Sequence, residues 1–420
     1  MTGASTKPLA NTARLVILAD DLSGAADCAV SYAKSGLTTA IELTLQSNAD
    51  AQVVVFDTDS RHLAPTEAAA LNMETWRAVR SPHLRLYKKI DSTLRGNWAE
   101  EVAALILDAG MAIVAPAMPA MKRFTRDARQ YIDQTPVEQT PVWGNEGCRG
   151  RASLNDMLSE AGVSVAHLSL AMLRQSSPEA LGRVLLEHQR NQVGAVVCDA
   201  ETDADLERLA QATYRLDVIF WAGSAGLAKA LCPYLHREVA TALLPPIAVE
   251  GPVLMVVGSM SPISHRQIDY LLQQRCKEIE HFQINIAELL ASCEVPAALT
   301  RAQQALEAGH DVLVTLAQQT PDFSIDGYAL SQRLASHLGG HLGRLGALVA
   351  TGGETAKALL SAAGVEQLRL MGELEPGVAL SVSGQGMPVV TKAGAFGNEA
   401  TLHETWRTLV SKRTSSSCRC

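Results

Sequence analysis

The sequence predicts an α/β protein of two domains, each with a mostly parallel sheet, and three observations carry that expectation. The chain has 420 residues, more than the roughly 250–300 over which a single hydrophobic core keeps growing. Short β-branched runs alternate with longer Ala/Leu-rich stretches of helical period, the rhythm that builds a parallel sheet covered on both faces. One segment, HREVATALLPPIAVEGP at 236–252, carries a proline pair and no period between two such alternating runs. It divides the chain into domains 1–243 and 244–420.

In chain order, RLVILADD reads as a buried strand running into a loop, and GAADCAVSYAKSG as the helix after it, closed by Gly36. TTAIEL and AQVVVFDTDSR are further strands. PTEAAALNMETWRAVR is a helix with Pro65 at its start and Thr66 and Glu67 in its first turn. LRLYKKIDST and MAIVAPAMP come next as strands. Residues 121–150 look irregular and polar, too long for an ordinary connection, and a loop of that length is often an active-site lid. The alternation resumes through GAVVCDAET, DVIFWAGSAGLAKAL, PVLMVVGSMS, DVLVTL and GALVATGGETAKALL.

Composition narrows the function. Apolar residues make up 47% and charged residues 19%, which suits a packed core rather than a disordered chain. A net charge of −8 and only 4% aromatics argue against a nucleic-acid binder. No run approaches the roughly 18 apolar residues of a membrane span, and the first residues do not read as a secretory signal. Eight scattered cysteines without a CxxC pair fit a reducing cytoplasm better than a disulfide framework. The terminal Cys418-x-Cys420 reads as a frayed tail rather than a metal site.

Polar residues gather where ligands bind in open α/β sheets, beyond the carboxyl ends of strands. Asp20 and Asp21 come after the first strand, Asp57 to Arg61 after the next, and Lys88 to Asn97 after a third. Such a pocket suits a small, polar, anionic molecule. An aspartate here could cap a helix, but capping does not need two, and a carboxylate can serve as a base. Lys88, Lys89 and Arg95 around Asp91 suit anion binding. The second half differs: Gly258-Ser259, Thr351 to Thr355, and Lys392 to Gly397 are glycine-bearing loops after strands. Ordinary turn glycines would explain any one of them. Three in one domain favour nucleotide phosphates at backbone N–H groups. GxxxxGK[ST], HExxH and GxSxG are absent, which excludes the usual Walker, zinc-protease and hydrolase readings, and the absence of an opening GxGxxG weakens a dinucleotide one.

The motifs ADDLSGAAD (19–27), DTDSR (57–61), KKIDSTLRGN (88–97), APAMPAMKRFT (115–125), VVGSMSPISHRQ (256–267), TGGET (351–355) and TKAGAFG (391–397) together resemble the four-carbon acid sugar kinase family. The resemblance runs in register from about residue 15 to 403, and KKIDSTLRGN looks more like its threonate/erythronate branch. It implies an N-terminal acid-sugar domain and a C-terminal ATP domain facing across a cleft, with Mg²⁺ on the ATP phosphates and Glu354 as an indirect ligand. The expected acceptor is D-threonate, phosphorylated at its terminal hydroxyl; D-erythronate and 3-oxo-tetronates are the alternatives within the family. A non-catalytic sugar-acid binding protein is the alternative outside it. A homodimer is compatible with this reading; nucleic acid and membrane partners are not expected.

Carried over by position, the resemblance implies substrate contacts at Asp21, Arg61, Lys89, Ile90, Asp91 and Ser92. ATP contacts fall at Ser259, Gly352, Gly353, Glu354, Thr355 and Gly397. Arg61 and Lys89 would hold the substrate carboxylate. Asp21 is the expected base at the attacking oxygen, with Asp91 its competitor, engaged by the cations around it. Asp20 should point away from Asp21 if strand alternation persists. The chain departs from the family pattern at Ser23, at Met121-Lys122-Arg123 and at Asp127-Ala128, which bears on substrate preference.

Overall fold

The computed structural model describes residues 12–44, 49–145, 150–235, 247–275, 277–291, 295–317, 326–394 and 396–413. The chain forms two compact units, Met1–Ala242 and Leu243–Cys420. The expected boundary and the terminal Cys-x-Cys both lie outside the described residues.

The first unit contains β1 (Leu15–Ala19), β2 (Thr39–Glu42), β3 (Val53–Asp57), β4 (Arg85–Lys89), β5 (Met111–Ala115), the short β6 (Arg123–Arg126), β7 (Arg129–Ile132) and β8 (Thr135–Pro136), then β9 (Val165–Leu168), β10 (Ala195–Cys198) and β11 (Ile219–Gly223). Its main sheet is parallel throughout, in the order β2-β3-β1-β4-β11-β5-β10-β9. Strands β1, β3, β5 and β11 are buried along their whole length. Helices on both faces explain why they read as unbroken apolar runs instead of alternating.

The second unit contains β12 (Val253–Val257), β13 (Ile279–Ile284), β14 (Asp311–Leu316), β15 (Ala347–Thr351), β16 (Gln367–Glu375), β17 (Val378–Ser383) and β18 (Pro388–Lys392). Parallel strands run β13-β14-β12-β15-β18, and the antiparallel pair β17 and β16 continues beyond β18. The α/β class is as the sequence predicts. Strands β9, β13, β16 and β17 escape that reading; in β13 only the two end residues are buried, so its sequence carries no apolar run.

Residues 121–150 are a correction. Much of this stretch is an antiparallel three-stranded sheet, β6-β7-β8, not an irregular loop. Its hairpin turns through Asp127 and Ala128, with φ of 51° and 55°, a two-residue turn with both residues left-handed, normally filled by Asn-Gly. The strain is offset by Asp199, buried at the end of β10, whose carboxylate accepts both turn amides at 3.0 Å. Strands this short, with polar residues on both faces, show no period.

Candidate functional site

In the first unit, β1 stands between β3 and β4, with Ala19 in register with Asp57 and with Lys89. The residues beyond each of these strands therefore emerge along one edge. Asp21 is the N-cap of the helix Leu22–Lys34, accepting from the Gly24 amide at 3.2 Å. Arg61 reaches over from the β3 end: Nε donates to Asp20 Oδ2 at 2.7 Å and Nη2 to Asp21 Oδ1 at 2.8 Å. The two carboxylates thus converge on one guanidinium, contrary to the expected divergence. Strand β1 ends at Ala19, and the planar fork of arginine is wide enough to span both acids.

Asp20 is buried, and its Oδ1 has no hydrogen-bond partner among the described residues. Burial pushes its carboxyl up, but Arg61, Lys88 and Lys89 outweigh that and hold it below the usual range. For Arg61, burial works against the charge, and Asp20, Asp21 and Asp91 more than restore it.

Asp91 is committed to its own loop. It accepts from the Thr93 amide at 3.0 Å and from Arg95 Nε at 2.9 Å and Nη2 at 3.0 Å, besides the Thr93 hydroxyl. Burial opposes its charge, but Arg95 and then Arg61 and Lys89 hold the carboxyl well below its ordinary value. An acceptor so fully engaged is poorly placed to orient a substrate hydroxyl; Asp21 is the better candidate. Lys89 is buried beside it, and a side chain at Gly24 would collide with Lys89 Nζ and Asp21 Oδ1. Ile90 and Ser92 come next in the chain, also buried.

Lys88 is a correction. Strand alternation turns it to the opposite face, where it is fully buried and paired with Glu101 Oε2 at 2.8 Å. Glu101 also accepts from the Ser60 hydroxyl, and Asn97 Nδ2 holds the Ser60 and Leu63 carbonyls at 3.1 and 2.9 Å. This buried network shapes the loop that presents Arg61. Glu101 was missed from sequence, yet it shares the apolar face of Trp98, Val102 and Leu105, where a carboxylate calls for a buried cation.

In the second unit, β12, β15 and β18 are adjacent, with Val257 in register with Thr351 and Thr351 with Lys392. The residues expected at ATP therefore share one edge. A side chain at Gly258 would strike Thr355, and one at Gly394 would strike Ser259. Gly352, at φ 102°, is the N-cap of the helix Gly353–Ala362 and supplies no side-chain cap, while Glu354 is exposed in its first turn. Such an end is open to anion oxygens.

The last loop is held by its carbonyls. Lys392 Nζ donates to Ala393, Gly394 and Phe396 oxygens at 3.1, 3.2 and 3.1 Å. Ser261 and Ser264 hydroxyls also reach the Gly394 oxygen, at 2.7 and 3.0 Å, and Gln267 holds the Phe396 and Asn398 oxygens at 3.1 and 2.8 Å. A trans peptide points its N–H opposite its carbonyl. With the Phe396 oxygen turned into this cage, the Gly397 N–H faces the other side, as an anion site needs. Burial lowers the Lys392 ammonium to about 8, only partly countered by Glu375.

Two family models match the chain: a sugar-binding N-terminal domain over residues 15–231 and a nucleotide-binding C-terminal domain over residues 254–402. The chain is 45% identical to a D-threonate kinase of Cupriavidus necator, covering 96% of this chain and 99% of the relative. It is 33% identical to a D-threonate kinase of Bordetella bronchiseptica, over 92% and 95% of the two chains. A D-erythronate kinase of Heliobacterium modesticaldum is 28% identical, over 91% and 94%. The fold is also that of a solved Haemophilus influenzae protein of family DUF1537, with a TM-score of 0.72 at 19% identity, covering 94% of this chain and all of that one.

Lys88→Met leaves Glu101 buried and uncompensated, and should lower the unfolding free energy of the full chain in urea by about 3–5 kcal/mol. Adding Glu101→Gln, which removes the charge and keeps an acceptor for Ser60, should recover most of the loss.

Phosphate bound at this loop would favour the Lys392 ammonium, and the neutral amine brings a lone pair against the carbonyls it held. The KM for ATP should therefore rise as pH passes through about 8. Lys392→Met should start from a high KM and show no such rise, measured by initial rates from pH 7 to 9.

Proposed function

This chain belongs to the four-carbon acid sugar kinase family, and from that premise we propose that it transfers the γ-phosphoryl group of ATP to the terminal hydroxyl of D-threonate. The choice of acceptor rests on the end-to-end similarity to D-threonate kinase, 45% identical over 96% of the chain. The D-erythronate kinase is 28% identical.

The first unit takes the acid sugar and the second takes ATP. Asp21 accepts a hydrogen bond from the acceptor hydroxyl and takes its proton as the new O–P bond forms; the bond from the γ-phosphorus to the bridging oxygen breaks, and ADP leaves. Phosphoryl transfer needs orientation and charge neutralisation more than covalent help. Arg61 holds the Asp21 carboxylate in place through its Nη2 donor, and the Ser60–Glu101–Lys88 network keeps Arg61 in place. On the ATP side, the Gly352–Thr355 helix start and the Gly397 amide receive phosphate oxygens, with Ser259 beside them.

Mg²⁺ accompanies ATP in such a reaction and neutralises phosphate charge when bound. Among the described residues no group of three His, Cys, Asp or Glu side chains is arranged to hold a metal. Such a cation would be held mainly by phosphate oxygens and water, with the exposed Glu354 as an indirect ligand.

An ADP-release assay over D-threonate, D-erythronate and 3-oxo-tetronates should give the highest kcat/KM with D-threonate. Preference for another of these acids would overturn the acceptor alone, and release with none would overturn the acid-sugar reading itself.

Asp21→Asn keeps a good N-cap and removes the proton acceptor. It should fold, bind both ligands and lose kcat by about 10²–10⁴-fold. Near-normal kcat in this variant, with loss in Asp91→Asn, would exchange their roles.

A further inference from the structure

We propose that Arg123 binds the carboxylate of the acid sugar, and that Arg61 serves instead to orient Asp20 and Asp21. The proposal rests on the acid-sugar reading and assigns the recognition step to a residue of the β6–β7 hairpin.

The first observation is placement. Arg123 opens β6, where its backbone exchanges hydrogen bonds with Met118 at 2.9 and 3.2 Å. The hairpin is fastened to the Lys89–Ser92 segment: Gln130, buried and held by Thr125 at 2.8 Å, donates its Nε2 to the Ser92 carbonyl at 2.7 Å. From that base the Arg123 Nη1 donates to the Ser92 hydroxyl. The guanidinium is therefore tied to Ser92, the last residue of the Lys89–Ser92 segment.

The second observation is charge. Arg61 is paired with Asp20 and Asp21, Arg95 with Asp91, Arg126 with Glu201 and Arg129 with Glu138. Among the described residues Arg123 has no carboxylate within ion-pair distance. Burial disfavours its charge, the more distant Asp91 and Asp27 support it, and Arg95 repels it. A partly buried cation without a counter-ion is costly, and an arriving carboxylate supplies the missing charge.

The third observation is geometry of donors. Arg61 already spends Nε and Nη2 on Asp20 and Asp21, the edge an arginine presents to a carboxylate. Arg123 spends Nη1 on Ser92, leaving its Nε–Nη2 edge for bidentate carboxylate binding. Lys89 adds a point charge beside Gly24, in the first turn of the helix whose next turn carries Asp27.

The test compares D-threonate with threitol, in which a neutral CH₂OH replaces the carboxylate. For Arg123→Gln, the KM for the acid should rise about 30-fold or more, the KM for ATP should stay unchanged, and the preference for acid over polyol should shrink by a similar factor. Arg123→Lys, which keeps the charge and loses the fork, should fall between, and it carries the test if the glutamine variant does not fold. An equal loss on acid and polyol, or an unchanged KM for the acid, would show Arg123 to be structural and overturn the proposal while the kinase reading stands. Wild-type protein that turns over no four-carbon acid would overturn both.

Discussion

A single guanidinium spanning two carboxylates sets the terms for the proposed acid-sugar site. Asp20 and Asp21 are adjacent and both stand at the edge where β1 ends, and Arg61 between them donates to each. Arg61 comes from another strand end, so its position depends on the loop after β3. That loop is held by Ser60 on Glu101, which is buried against Lys88. A chain of four residues, two of them remote from any ligand, thus determines where the proposed proton acceptor points.

The second unit solves a different problem by a related means. Phosphate oxygens need backbone N–H groups turned toward them, and a loop's carbonyls must then be satisfied elsewhere. Lys392, Ser261, Ser264 and Gln267 take that part. In both units a buried side chain behind the loop fixes what the loop's front presents. The glycines serve the same end by close approach: Gly258 lies against Thr355 and Gly394 against Ser259, so three strand ends fit together without room for a Cβ.

Much of this was legible in the sequence because parallel strands buried on both faces leave unbroken apolar runs, and their polar ends are then conspicuous. LVILA followed by Asp-Asp, and LVAT followed by Gly-Gly, place both edges without any coordinates. The illegible parts lack that contrast. The β6–β8 sheet has strands of two to four residues with polar side chains on both faces, and its turn uses Asp127-Ala128 where a glycine would have announced it. The strain of that turn is met by Asp199, distant in sequence, so no local pattern encodes it. Lys88 and Lys89 look alike as neighbours, and only the covered second face of β4 separates a structural ion pair from a residue of the site.

That separation bears on where acceptor specificity resides. The strand-end residues are largely committed to one another: Arg61 to Asp20 and Asp21, Asp91 to Arg95 and Thr93, Lys88 to Glu101. Groups so bound build the edge and can change little without undoing it. The β6–β7 hairpin stands on the same edge through Gln130 and Arg123, yet its backbone is anchored from the other side by Asp199. It can therefore vary in length and side chains while the strand-end edge stays intact. A scaffold that must keep one chemistry and exchange one four-carbon acid for another has most freedom there, and it is also where this chain departs from the family pattern, at Met121-Lys122-Arg123 and Asp127-Ala128.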